Sequence, residues 1–170
     1  MRRLICLAGG VASGKTTLAE GLRATLPGAA TVAFGDLVRR HTEQAGLEPN
    51  RANLQRIGLQ LVSGGWPAFV GELIEPVGPD VDTLIIEGVR HRAAVDELRA
   101  QLDPTQLLLV YLDVPDADLH RRLAGRGEPE SVLRHEVESE VASLVAEADL
   151  VLQSSDPVDE LVDRVTEALI

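Results

Sequence analysis

Lysine is almost absent from this chain. It has 170 residues, of which 16 are basic, yet Lys15 is the only lysine and every other basic residue is arginine. A bias in genomic composition explains a surface rich in arginine. It does not explain why one lysine is kept, or why that lysine directly follows a glycine-rich stretch. Lys15 is therefore a candidate functional residue.

Cysteine, aromatic residues and long apolar runs are scarce as well. Cys6 is the only cysteine, which excludes an internal disulfide, and its apolar neighbours predict a small buried side chain. Aromatic residues make up only 2%, so aliphatic side chains must fill the core. No apolar run is long enough to span a bilayer, and the run after Met1 is too short for a signal peptide. We expect a cytoplasmic protein that does not contact a membrane.

Acidic residues outnumber basic residues in this chain, 27 to 16. The formal net charge of −11 opposes sequence-independent binding to nucleic acid, which requires a basic surface. Any bound anion must therefore be held by cations placed locally. The length and the 45% hydrophobic content are those of one globular domain, residues 1–170.

Apolar runs alternate with segments of helical spacing. This alternation predicts a three-layer α/β fold with a parallel five-stranded sheet and helices on both faces. Three successive helices interrupt the alternation over residues 36–79, and we interpret them as a substrate-covering insertion. The predicted strands are Leu4–Ala8, Thr31–Phe34, Thr83–Ile86, Leu107–Leu112 and Leu150–Leu152, and a polar helix is predicted over Glu130–Ala146.

The strongest motif follows the first predicted strand. Residues 9–16 have the spacing glycine, four residues, Gly-Lys-Thr, and a helix is predicted to begin there. Glycines let successive N–H groups turn toward phosphate oxygens, and the helix start adds positive potential. The lysine reaches the outer phosphates and the following threonine hydroxyl binds magnesium. The predicted nucleotide-binding residues are Gly9, Gly10, Val11, Ala12, Ser13, Gly14, Lys15, Thr16 and Thr17.

Further segments resemble adenylate kinases and related nucleoside monophosphate kinases. Residues 34–39 (FGDLVR) resemble the Thr-Gly-Asp-x-x-Arg element of that family, and residues 86–90 (IEGVR) resemble its Asp-Gly-Phe-Pro-Arg element. Residues 112–116 and 122–126 resemble its fourth strand and the start of its lid, and residues 148–152 resemble its last strand. The resemblance covers nearly the whole chain in order. It implies a P-loop kinase fold with a helical acceptor-binding insertion at 36–79 and a short lid at 122–135.

The resemblance also implies roles for particular side chains. Arg39 and Arg90 would hold the acceptor phosphate, for which planar guanidinium groups are suited. Glu87 ends a buried strand and would hold magnesium-bound water, with a structural salt bridge as the alternative. Asp36 would orient the acceptor or bind metal-bound water, or it caps the following helix.

The predicted lid carries its own cations. Arg122 and Arg126 lie one helical turn apart, and the resemblance implies that the first stacks on adenine and the second stabilises the transferring phosphoryl group. A basic helix end that offsets the helix dipole is the alternative. Arg134 and His135 are candidates for the far side of the lid.

The identity of the acceptor stays open. Guanine-specific GTPases are excluded because their base-reading motif contains a lysine, and no second lysine exists. Ala94 stands where adenylate kinases have the glutamine that reads AMP. Arg51, Gln55, Arg56 and Gln60 could recognise another base, although helix polarity also explains them.

The sequence thus predicts a kinase that uses ATP and Mg²⁺ on a small-molecule acceptor, most simply a nucleoside or deoxynucleoside monophosphate. Kinases that act on a hydroxyl, of the dephospho-coenzyme A or sugar-acid type, are the alternative. A second alternative is a non-catalytic nucleotide-binding switch. The oligomeric state is left open.

Overall fold

Strands and helices alternate along the chain, as the apolar pattern predicts. The computed structural model describes residues 1–125, 141 and 144–169. The strands are β1 (Arg3–Ala8), β2 (Ala29–Ala33), β3 (Thr83–Val89), β4 (Gln106–Asp113) and β5 (Leu150–Gln153). The helices are α1 (Lys15–Thr25), α2 (Phe34–Gln44), α3 (Arg51–Ser63), α4 (Trp66–Ile74), α5 (Arg92–Leu102), α6 (Asp116–Gly125) and α7 (Val158–Glu167), with a 3₁₀ turn at Leu144–Glu147.

The five strands form one parallel sheet in the order β2-β3-β1-β4-β5. β1 occupies the centre, and its residues Leu4 to Ala8 are fully buried. Leu4 and Cys6 belong to the core cluster on one face of the sheet, while Ile5 and Leu7 belong to the cluster on the other face. Two apolar faces require helices on both sides. The predicted three-layer fold is therefore confirmed.

Cys6 lies in the middle of this central strand. It is fully buried, and burial raises the pKa of its thiol from 9.0 to about 12. The thiol therefore stays protonated at neutral pH and acts as a small apolar side chain. The structure agrees with the interpretation of Cys6 as a core residue.

The helices between β2 and β3 pack on the sheet. Leu37 of α2 and Phe69 of α4 share one core cluster with Ile86 of β3. His41 of α2 and Glu72 of α4 lie 2.7 Å apart, which ties these two helices together at their outer side. The helices 34–74 are thus anchored on the sheet beside the end of β3.

Several predicted boundaries differ from the structure. Phe34, predicted as the end of a strand, begins α2, because an apolar side chain at a strand–helix junction satisfies either pattern. The third strand continues past Ile86 to Val89, so Glu87 lies inside β3 and not after it. Most of the helix predicted over residues 130–146 falls outside the described residues, and its last part is the 3₁₀ turn.

Within the described part of the chain, no helix is both long enough and apolar enough to cross a membrane.

Two fully buried threonines differ in hydrogen bonding, and this difference predicts their effects on stability. The hydroxyl of Thr83, at the start of β3, has no hydrogen-bond partner among the described residues. The hydroxyl of Thr42 donates to the carbonyl of Val38 at 2.8 Å. An unpaired buried hydroxyl costs about 1–3 kcal/mol, so Thr83→Val should raise the free energy of unfolding by about 1 kcal/mol. Thr42→Val is the matched control and should not stabilise. Urea unfolding measures both, and equal midpoint shifts would contradict the assignment.

Candidate functional site

The phosphate loop lies at the carboxyl edge of the sheet. It leaves β1 at Ala8 and enters α1 at Lys15. Gly9 has φ 139°, and a Cβ there would lie 2.5 Å from the carbonyl oxygen of Leu112, at the end of β4. Gly14 has φ 89° and directly precedes α1. Both glycines are therefore required by the backbone, and the predicted strand–loop–helix context is present.

Lys15 lies against the loop that precedes it. Its Nζ donates to the carbonyl oxygens of Gly9 and Gly10 at 2.9 and 2.7 Å, and to the Oγ of Ser13 at 2.9 Å. Ser13 is fully buried, which fixes the middle of the loop. The ammonium group of the only lysine in the chain thus lies against the phosphate loop, and its contact with the outer phosphates stays a prediction.

Glu87 of β3 meets the first turn of α1. The hydroxyl of Thr16 donates to Oε2 of Glu87 at 2.8 Å. Strand alternation explains this contact, because Ile85 packs on the same face as Leu18 of α1, and Glu87 follows Ile85 by two residues. The two residues predicted to bind magnesium are therefore brought together.

A bulge at Gly88 follows Glu87 directly. Leu7 pairs with Glu87, but the next residue of β1, Ala8, pairs with Val89, so Gly88 is the extra residue. Its φ of 76° suits glycine. Without the extra residue Val89 would share the face of Glu87. With it, Val89 joins Ile86 in the opposite core cluster.

The donor atoms fit a magnesium ion. A threonine hydroxyl and a carboxylate are hard oxygen ligands, and Mg²⁺ usually takes one or two such groups together with water and substrate phosphates. A dedicated protein cage is not needed, and the described residues contain no group of three or more histidine, cysteine or acidic side chains that could hold a metal. Thr16 and Glu87 are the residues that would hold the ion or its water.

Arg122 links α6 to the phosphate loop. Its Nη1 donates to the carbonyl oxygen of Ala12 at 3.0 Å and to Oγ of Ser154 at 3.1 Å, and its Nη2 donates to the carbonyl oxygen of Ser154 at 2.8 Å. Ala12 adopts φ 57°, an unusual conformation for a residue with a side chain, and such strain is concentrated at functional sites. The neighbouring Arg121 is exposed and pairs with Asp118 instead.

Sequence reasoning missed Ser154. It lies in the turn after β5, at the same edge of the sheet as the phosphate loop, and joins that turn to Arg122. Its position directly after the last strand was the available signal, because ligands bind at the carboxyl ends of parallel strands.

The predicted acceptor residues lie on the other side of the loop. Asp36 is in the first turn of α2, which begins at Phe34 after Ala33, and no side-chain capping bond is present. The N-cap residue of α2 is therefore Ala33 and not Asp36, although an acidic side chain in the first turn still complements the helix dipole. The acceptor role of Asp36 stays a prediction. Arg39 is exposed one turn later, and Arg90 is half-buried directly after β3. These two arginines follow neighbouring strands, β2 and β3.

The remaining predicted residues lie outside the described part of the chain or on α3. Arg126, Arg134, His135 and almost all of the predicted lid 122–135 lie outside the described residues. Gln55, Arg56 and Gln60 lie on an open face of α3 together with Ala52, Leu59 and Ser63, whereas Arg51 is exposed at the start of that helix. None of these α3 residues belongs to the phosphate loop.

Comparison with curated proteins finds archaeal relatives. Over 126 residues the chain is 32% identical to a UPF0200 protein of Methanothrix thermoacetophila, covering 74% of this chain and 66% of that protein. It is 25% identical to a UPF0200 protein of Thermococcus onnurineus, covering 96% and 95% of the two chains. The chain thus spans slightly less than two thirds of the first relative and nearly all of the second.

Solved structures show the same fold. A sugar kinase from Janibacter sp. HTCC2649 superposes with a TM-score of 0.63 at 22% identity, covering 99% of this chain and 94% of that one. Shikimate kinase from Aquifex aeolicus superposes with a TM-score of 0.63 at 17% identity, covering 98% and 95%. At these identities the likeness concerns the fold, which is that of P-loop kinases.

Residues 5–143 match the family described as AAA domain. The match begins in β1 and includes the phosphate loop, Glu87 and Arg122. It extends over most of the chain, and the solved neighbours share the predicted P-loop kinase fold. The protein therefore belongs to the AAA domain family and has the fold of P-loop kinases.

Proposed function

We propose that this protein is a kinase that transfers the γ-phosphoryl group of ATP to a small phosphorylated acceptor, most simply a nucleoside or deoxynucleoside monophosphate. The observation that carries the proposal is the 2.8 Å hydrogen bond between Thr16 and Glu87 beside the phosphate loop. These two side chains place a hydroxyl and a carboxylate where phosphoryl transfer requires magnesium. The cytoplasmic location expected from the sequence stays a prediction.

Different side chains have different roles in such a transfer. The loop N–H groups and Lys15 bind the ATP phosphates and neutralise their charge. Thr16, and Glu87 through water, would hold magnesium, which would supply Lewis-acid stabilisation of the phosphate oxygens. Arg122, fixed by Ala12 and Ser154, orients the nucleotide at the loop. Positioning and electrostatic stabilisation supply most of the catalysis in this reaction class.

On the acceptor side, Arg39 and Arg90 bind the acceptor phosphate. Both follow strands at the edge that carries the phosphate loop, so an acceptor between them would lie next to ATP. The oxygen of the acceptor then attacks the γ-phosphorus, the bond from that phosphorus to the bridging oxygen breaks, and ADP leaves.

A kinase that acts on a hydroxyl is the second candidate. The solved proteins with the same fold are named as a sugar kinase and a shikimate kinase, which favours this alternative over unrelated activities. Because the likeness concerns the fold alone, the acceptor must be determined by experiment.

The proposed activity is tested by ADP release coupled to a panel of acceptors. With Mg²⁺ and ATP, we expect ADP release that depends on a nucleoside monophosphate, and no comparable release with dephospho-coenzyme A or sugar acids. Lys15→Met should lower turnover at least about a hundredfold without changing the unfolding midpoint, because it removes charge stabilisation and not core packing. Slow hydrolysis that ignores every acceptor would instead favour a nucleotide-binding switch, and near-normal turnover in Lys15→Met would contradict the phosphotransferase assignment.

Glu87→Gln separates a metal-binding role from a structural one. The amide keeps the size of the side chain but lacks the charge, so turnover should fall about a hundredfold and the Mg²⁺ concentration for half-maximal activity should rise. Titration with Mg²⁺ measures both effects. Asp82→Asn is the matched control, because Asp82 is exposed just before the opposite end of β3. Loss of folding with an unaltered Mg²⁺ response in the residual activity would make Glu87 structural.

Arg39→Ala and Arg90→Ala test the acceptor phosphate site. A hydrogen bond to a charged group contributes on the order of 1.5–3 kcal/mol, so each variant should raise the acceptor KM by roughly ten- to a hundredfold. The KM for ATP should change little. Lysine replacements should recover only part of the loss, because an ammonium group lacks the planar fork.

The controls are Arg40→Ala and Arg99→Ala, which alter exposed arginines on α2 and α5. Both should leave the two KM values unchanged. If the Arg39 and Arg90 variants behave like these controls, the acceptor phosphate is bound elsewhere, or the acceptor carries none.

A further inference from the structure

The few aromatic side chains of this chain are not spread through the core. There are four: Phe34, Trp66, Phe69 and Tyr111. The ring centroids of Phe34 and Phe69 lie 5.1 Å apart, and those of Trp66 and Phe69 lie 5.9 Å apart. The ring of His91 lies 5.1 Å from that of Trp66. Three of the four aromatic residues therefore form one cluster with a histidine.

The cluster lies at the edge of the sheet where the site is built. Phe34 directly follows β2, and His91 follows β3 by two residues. Trp66, at the start of α4, is brought to this edge by its contact with His91. The neighbouring residue in sequence is Arg90, which we assign to the acceptor phosphate. The rings thus adjoin the acceptor side of the site.

Burial divides the cluster into two parts. Phe34 and Phe69 are 7% and 5% exposed and belong to the main core. Trp66 and His91 are only half-buried. Trp66 also packs against the core cluster of the two phenylalanines, but its indole and the imidazole of His91 remain partly accessible, and His91 directly follows Arg90.

We propose that Trp66 and His91 form a stacking surface for a planar ring carried by the acceptor, which makes the acceptor a nucleobase-containing phosphate. This inference rests on the proposed function and narrows its substrate class. Bases stack on aromatic side chains whatever their edge groups, so the surface selects for a ring and tolerates both purines and pyrimidines. With Arg90 on the phosphate, the two ends of a nucleoside monophosphate are bound by adjacent residues.

Trp66 is the only tryptophan, so tryptophan fluorescence reports on this surface alone. The full-length protein is titrated with AMP, GMP, CMP and TMP, each with and without saturating Mg²⁺ and ADP. Ribose 5-phosphate is the matched ligand without a nucleobase, and free N-acetyltryptophanamide corrects for absorption by the bases. We expect saturable quenching by at least one base-containing ligand and none by ribose 5-phosphate. Equal quenching by ribose 5-phosphate, or none by any base, would overturn the proposal.

Kinetics of variants supply a second, independent readout. Trp66→Leu should raise the KM for the accepted monophosphate by about tenfold or more and leave the KM for ATP unchanged, while Trp66→Phe should keep most of the affinity. Phe69→Leu is the control, because its buried ring contacts Trp66 but belongs to the core; it should lower stability without raising the acceptor KM. An unchanged acceptor KM in Trp66→Leu, or equal effects of Leu and Phe at position 66, would refute the stacking role.

The acceptor panel and the tryptophan titration distinguish failure of the kinase assignment from failure of the stacking proposal. If ADP release depends on an acceptor without a nucleobase, the kinase assignment stands and the stacking surface is refuted. If bases quench Trp66 but nothing is phosphorylated, the stacking surface stands and the kinase assignment fails.

Discussion

The hydrogen bond between Thr16 and Glu87 is the contact on which the candidate site depends. It joins residues 71 positions apart, one on the helix that leaves the phosphate loop and one on a neighbouring strand. It forms only if β1 and β3 are parallel, in register, and adjacent. The buried aliphatic core stabilises the central strand order. That strand order in turn places the hydroxyl of Thr16 beside the carboxylate of Glu87.

Electrostatics explains why the cations of this site must be positioned so closely. The protein carries a net charge of −11, so the field of the whole molecule repels phosphate. Lys15 and Arg122 both contact the phosphate loop. Arg90 follows β3, the neighbour of β1, and Arg39 follows β2, the next strand in the sheet. A few cations within a Debye length of the bound anion outweigh more distant acidic groups, which salt screens.

Much of this architecture was predictable because it rests on local signals. Glycine spacing before Lys15 specifies a loop between a strand and a helix, and the apolar run ending at Glu87 specifies a buried strand with a carboxylate at its end. The core role of Cys6 followed from its neighbours. The start of α2 at Phe34 was missed, because an apolar residue at such a junction fits a strand as well as a helix.

Other features depend on distant contacts and carry weak local signals. The position of Ser154 after the last strand indicates the site edge of the sheet, but it does not indicate that its carbonyl and hydroxyl accept hydrogen bonds from Arg122, which is 32 residues away. The pairing of Trp66 with His91 likewise requires α4 to lie beside the end of β3. The bulge at Gly88 is visible only in the register between β1 and β3.

The bulge at Gly88 changes which face of the sheet the following residues of β3 point to. Up to Glu87, β3 alternates between its two faces with a period of two, and the extra residue inverts the alternation for everything that follows. One short stretch of backbone can therefore direct a carboxylate toward α1 and, within four residues, bring His91 to Trp66 of α4. The proposed metal side and the proposed acceptor side of the site are therefore joined by four residues of continuous backbone at the end of β3. That short connection limits their separation, whereas sites on two independent loops would depend on how both loops move.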